Sequence, residues 1–125
     1  MSDKLHDECG VFGIYKNDDD IDIVDETYLA LYALQHRGQV GAGIAVNNDG
    51  TMVHYKDFGM IPEALPESEL SRLGNGNIAL GHVKYSSGGA VLRENLAPLV
   101  MRYIKGQLAL CMNGALSNYP ELREY

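Results

Sequence analysis

Glu8-Cys9-Gly10-Val11-Phe12-Gly13-Ile14 is the stretch on which the reading of this chain turns. From Cys9 to Tyr15 glycine and large apolar residues alternate, which suits a strand packed closely against other backbone. A cysteine heads that strand, a few residues from the start of the chain. The ordinary expectation for a lone cysteine is a small buried apolar residue.

Outward from this strand, Val24, Tyr28, Leu31 and Gln35 share one helical face, and Asp22 and Asp25 are available as amino-terminal caps, so Asp22–Gln35 is predicted to be an amphipathic helix. Ile44–Val46 and Met52–Tyr55 flank Asn47-Asn48-Asp49-Gly50, a link with the Asp-Gly signal of a hairpin turn. Pro62–Arg72 reads as a short helix, and Asn77–Tyr85 and Gln107–Met112 as strands bounded by glycine or asparagine. The expected order is β, α, β-β, α, β, β. Asn118 followed by Pro120 and Glu121 signals entry to another helix. The sequence reaches Tyr125 before such a helix is long enough to sustain itself, so a partial domain is expected.

Bulk properties narrow the classes. At 125 residues the chain has room for one hydrophobic core, and 46% hydrophobic with 22% charged residues describes a globular protein. Seventeen acidic residues against ten basic give a net charge of -7, the wrong sign for gathering phosphate backbones, so nucleic acid is not expected as a partner. Apolar runs are far short of the ~20 residues that span a bilayer, and Met1–Glu8 lacks a signal peptide's apolar stretch. Neither membrane association nor secretion is expected, and the cytoplasm is the expected location. Cys9 and Cys111 are then free thiols rather than a disulfide.

Asp18-x-Asp20-x-Asp22 starts like a calcium loop, but Ile23 stands where glycine is needed and Leu29 where glutamate is needed. Gly41-Ala42-Gly43 and Gly74-Asn75-Gly76 do not continue into a phosphate-loop pattern. The histidines at 6, 36, 54 and 82 share no spacing that marks a metal cluster. No metal and no cofactor is expected.

Four blocks occur in order: Glu8–Ile14; Leu34-Gln35-His36-Arg37-Gly38-Gln39 leading to Ala42-Gly43-Ile44; Gly81-His82-Val83-Lys84-Tyr85-Ser86-Ser87; and Asn113-Gly114. Together they resemble the class II glutamine amidotransferases over nearly the whole chain, most closely the glutaminase half of the amidophosphoribosyltransferase branch, which opens purine synthesis. The eight residues before Cys9 resemble that branch's removable propeptide. With the Glu8–Ile14 motif, they favour it over the hexosamine-forming and asparagine-forming relatives.

The resemblance implies an α+β fold of the N-terminal-nucleophile hydrolase type, an αββα sandwich of antiparallel sheets. It divides the chain into a propeptide, 1–8, and a partial glutamine amidotransferase domain, 9–125. It makes Cys9, freed at its own amine, the nucleophile that strips ammonia from glutamine. An α-amine near ~8 and a thiol near ~8.5 are matched well enough for the proton to pass between them around neutral pH, with no histidine required. The resemblance assigns the oxyanion donors to the Asn113 side chain and the Gly114 N–H. Asn-Gly is also a common tight turn, and both can hold. Arg37 and Gly38 are implied beside the nucleophile, and Lys84, Tyr85 and Ser87 around the glutamine.

There are departures from the family pattern. Lys84 replaces an arginine that clamps the substrate carboxylate, a point charge in place of a planar fork. Met112 replaces a histidine before the Asn-Gly, and the acid that holds the substrate amine lies downstream of Tyr125. The chain as given is therefore expected to be a weak or inactive glutaminase, and its expected partner, a phosphoribosyltransferase domain or chain, is absent from it. Association with copies of itself stays open. The rival reading is a degenerate module that keeps the fold for binding or regulation.

Overall fold

The computed structural model of the chain describes residues 9–35, 39–85, 92–113 and 119–124. Strand β1 runs Cys9–Tyr15, as its alternation predicts. Helix α1 covers Ile23–Leu34. Of the two aspartates offered as caps, Asp22 is used. Its carboxylate accepts from the N–H groups of Val24 (3.0 Å) and Asp25 (3.1 Å), satisfying two donors that the first helical turn leaves open. Asp25 falls inside that turn, where its charge suits the helix dipole. Gln35 ends the helix instead of extending it.

Strands β2 (Gln39–Asn48) and β3 (Thr51–Phe58) form the expected hairpin, but both are longer than expected. The link is two residues rather than four, because Asn47 and Asn48 remain in the ladder opposite Met52 and Thr51. Asp49 and Gly50, at φ 54° and 88°, make the turn in the left-handed region that such tight hairpins require. The helix expected over Pro62–Arg72 is two single turns, α2 (Ile61–Ala64) and α3 (Glu67–Leu70). Pro66 divides them: it has no N–H to continue the first and stands as the cap of the second.

Strand β4 (Ile78–Tyr85) is close to expectation, and β6 covers Gly106–Leu110, leaving Cys111 and Met112 beyond its end. Strand β5 (Leu99–Tyr103) was not anticipated. It lies almost wholly exposed and carries no buried alternation, so periodicity has nothing to detect; its order comes from pairing with β6, Leu99 opposite Leu110 and Tyr103 opposite Gly106. A short helix α4 (Tyr119–Arg123) stands where the entry signal places one, although Asn118 lies outside the described residues. Among the described residues no helix is long and apolar enough to cross a membrane.

Four strands form one antiparallel sheet in the order β1-β4-β2-β3, and β5-β6 is a separate ribbon. Register decides what each face carries, since residues paired across the ladder point the same way. Gly81 pairs with Phe12 and Ile44, and a methyl group on Gly81 would sit 2.8 Å from Thr27 and 2.9 Å from Leu31. That face therefore lies under α1. It holds the main core, in which Ile23, Leu31, Ile44, Val46 and Val83 are buried. The other face carries Cys9, Lys84 and His82, and the ribbon lies over it, with the Gln107 side chain accepting from the Met52 N–H at 2.8 Å. Two antiparallel layers with a helix on the outer side of one make the α+β sandwich that was expected.

Gly43 is where the second face is tightest. An added methyl would lie 2.4 Å from the Ala97 carbonyl oxygen and 2.9 Å from Pro98, whereas at Gly13, on the same face, the nearest atom is Leu80 at 3.4 Å. Gly43→Ala is expected to destabilise the domain by about 1–3 kcal/mol through overpacking, and Gly13→Ala by well under that. Urea unfolding of the two variants beside the parent checks the contrast, and equal midpoints would show that the segment around Ala97 yields freely.

Candidate active site

The motif blocks converge on one end of the main sheet. Cys9 starts β1, Gln35 ends α1, Gln39 starts β2 and Tyr85 ends β4. Cys9 lies directly opposite Lys84, and Gln39 opposite Tyr85. In sequence these positions are scattered; antiparallel pairing brings them together. Cys9 is buried at 6% exposure, and Lys84 beside it is half-buried on the same face, within the ~5 Å that separates Cβ atoms of facing residues.

Arg37, Gly38, Ser87 and Gly114 lie outside the described residues. The chain on either side of Arg37-Gly38 is well held. The Gln35 side-chain oxygen accepts from the Ile61 N–H at 2.6 Å, and the Gln39 side-chain amide donates to the Gly59 carbonyl at 2.9 Å. Those two glutamines fasten the end of α1 and the start of β2 to the segment around α2.

Tyr85 departs from the arrangement expected of a pocket wall. Its ring is buried on the helix face, away from Cys9, and its hydroxyl donates to the Leu34 carbonyl at the end of α1. It ties β4 to the helix.

Asn113 is exposed, just after Met112. His82, two residues before Lys84 on β4, is 2% exposed, and its Nε2 lies 3.1 Å from the Met112 carbonyl oxygen. That contact brings Met112, the neighbour of Asn113, to the face of β4 that carries Lys84. The sequence motif that contains His82 does not by itself give this histidine a role. The available signal is its parity: it is the polar residue that shares the face of Lys84 on β4, where Leu80 and Ile78 are apolar.

Cys111, just beyond β6, is a partly buried free thiol. Burial pushes its pKa up to about 11, so it stays a protonated, poor nucleophile at neutral pH. Among the described clefts, one of 440 Å³ lies between Tyr15, Asp18, Asn47 and Asn77, at the opposite end of the sheet, and is no part of this site.

No family model matches the chain. Curated relatives do. It is 43% identical over 121 residues to amidophosphoribosyltransferase 3, chloroplastic, of Arabidopsis thaliana, a match over 97% of this chain and 22% of that protein. It is 45% identical over 124 residues to the amidophosphoribosyltransferase of Synechocystis, 98% of this chain and 24% of that protein. Over nearly its whole length the chain is homologous to amidophosphoribosyltransferases. It corresponds to their N-terminal domain and spans under a quarter of the length of these two relatives. Among solved structures, the allosteric regulatory enzyme of purine biosynthesis superposes with a TM-score of 0.76 at 39% identity, over 91% of this chain and 24% of that one. The glutamine phosphoribosylpyrophosphate amidotransferase of B. subtilis, complexed with ADP and GMP, gives 0.75 at the same identity and coverage. The N-terminal-nucleophile hydrolase fold expected from the motifs is therefore the fold of the chain.

Burial holds the His82 imidazole below its ordinary pKa. The Met112 carbonyl pulls upward, and the Lys84 ammonium adds to the lowering. In the unfolded chain the group titrates near ~6.5. Below that the unfolded state binds more protons than the native one, so stability is full above it and falls as the pH drops toward the lower native value. Denaturant unfolding should show the parent losing more stability between about pH 7.5 and pH 5.5 than His82→Gln does. Parallel losses would mean that His82 is not kept neutral by the fold.

Proposed function

We propose that the chain is the glutamine-hydrolysing part of an amidotransferase, with Cys9 as nucleophile once the bond from Glu8 to Cys9 is cut. The reading is supported most by the pairing of Cys9 with Lys84 on the sheet face that looks toward the ribbon, and by the contact of His82, on that same face, with the carbonyl of Met112, the residue before Asn113. Residues 1–8 would be the removed leader and 9–125 part of the catalytic domain.

The freed α-amine takes the thiol proton, and the sulfur attacks the amide carbon of glutamine. The carbonyl oxygen becomes an oxyanion held by the Asn113 side chain and the Gly114 N–H, donors each worth ~3–4 kcal/mol when correctly placed. The amine returns its proton to the leaving nitrogen, and ammonia departs. Water then attacks the thioester and releases glutamate. Lys84 faces the substrate carboxylate, Arg37 and Gly38 hold the new amino terminus, and Ser87 and the end of β4 at Tyr85 border the glutamine. In the whole protein the ammonia would go to phosphoribosyl pyrophosphate on a phosphoribosyltransferase domain, for purine synthesis. The cytoplasm suits a protein with free thiols at Cys9 and Cys111.

Amino-terminal sequencing of the active protein is expected to begin at Cys9, and Cys9→Ala to reduce ammonia release from glutamine to background. Activity in a product that keeps residues 1–8 would overturn the nucleophile assignment.

Lys84 gives a second test. In a Cys9→Ala background, which blocks turnover, Lys84→Arg should tighten glutamine binding by supplying a bidentate partner, and Lys84→Met should weaken it about ten- to hundredfold. Calorimetric titration compares the three, and equal affinities would remove Lys84 from the site.

A further inference from the structure

A buried imidazole on an apolar strand needs a reason, because taking a polar ring out of water is unfavourable unless it is paired. His82 is 2% exposed in the middle of β4, between Val11 of β1 and Gly43 of β2. Gly43 has no side chain, which leaves the room beside it to the ring and to the backbone at Ala97. Nε2 reaches the Met112 carbonyl, while Nδ1 has no partner among the described residues. Nε2 therefore carries the proton and donates it, and Nδ1 is left bare.

What this bond holds is the second layer. Among the described residues the main sheet and the ribbon share no ladder, and two polar contacts cross between them near β6. Gln107, at its start, accepts from Met52, and Met112, beyond its end, accepts from His82. The carbonyl of Met112 and the N–H of Asn113 belong to one planar peptide unit. Fixing that carbonyl fixes the plane from which Asn113 departs.

We propose that His82 is a positioning residue of the oxyanion hole: its Nε2–H, by holding the Met112 carbonyl, orients the peptide that leads into Asn113, the side-chain donor to the oxyanion formed at Cys9. This rests on the thioester reading given above. The oxyanion exists only after attack, so losing the pin should slow turnover and leave ground-state glutamine binding nearly intact.

Glutamine hydrolysis by the full-length protein tests this in the parent, Cys9→Ala, His82→Leu and His82→Gln. The Gln variant keeps an amide N–H at nearly the reach of Nε2. His82→Leu should lose about 100-fold in kcat with KM within about twofold, and His82→Gln should retain kcat within about fivefold. The rate at which iodoacetamide alkylates Cys9, a reaction that forms no oxyanion, should be the same in the parent and both His82 variants. If His82→Leu does not fold, His82→Asn replaces it, being one methylene too short to reach Met112, and should be slow where Gln is fast. A Leu or Asn variant as fast as the parent overturns the proposal, as does a Gln variant as slow as Leu, or an effect confined to KM. A parent with no Cys9-dependent hydrolysis shows instead that the thioester reading failed, and the proposal falls with it.

Discussion

The ladder through β4 is the constraint on which the rest depends. This strand is paired on both sides, with β1 and with β2, so its register alone fixes which way each neighbour turns its side chains. A slip of one residue would exchange the faces. Cys9 and Lys84 would then lie under α1, and Val83 and Ala42 would face the ribbon. The packing of α1 opposes this slip, because Thr27 and Leu31 rest where only a glycine at 81 leaves space. Hydrophobic burial of one face thus determines the chemistry of the other.

The block Gly81-His82-Val83-Lys84-Tyr85 shows the division residue by residue. Gly81, Val83 and Tyr85 belong to the helix face: close approach, core filling, and a hydroxyl fastened to the end of α1. His82 and Lys84 belong to the other: one contact with the second layer, one charge beside the cysteine. Period-2 alternation lets a five-residue segment serve a core and a site at once, with neither set interrupting the other.

Much of this was legible in the sequence where local physics decides. The Asp22 cap, the Asp-Gly turn and the alternation of β1 each depend on neighbours in the chain, so local sequence predicts each of them. The family motifs carried the layered fold, which periodicity could not. Tertiary context decides the rest. Asn47 and Asn48 look like loop residues and are strand, because backbone pairing disregards their polarity. Strand β5 exists through its partner, and Pro66 divides what a helical pattern joins. Tyr85 and His82 differ only in parity, and their opposite orientations become visible once the register is known.

The two ends of the sheet treat these local rules differently. At the end away from Cys9, the hairpin turn has the residues its geometry demands, and the buried ammonium of Lys16 has acceptors in the Ile21 carbonyl and the Asn75 side chain. At the Cys9 end the rules are broken. Gln39 and His82 are buried with an unpartnered atom each among the described residues, Gln39 Oε1 and His82 Nδ1, and half-buried Lys84 stands beside the cysteine. An unpaired buried polar group costs about 1–3 kcal/mol. An apolar residue in place of either would pack at lower cost, yet it would leave β2 loose from Gly59 or the ribbon loose from β4. Each of these side chains leaves one polar atom unpaired among the described residues and with its other polar end holds a backbone carbonyl, that of Gly59 for Gln39 and that of Met112 for His82. Departures from local consistency are expected to gather where function opposes stability, and here they gather at the end of the sheet where Cys9 lies.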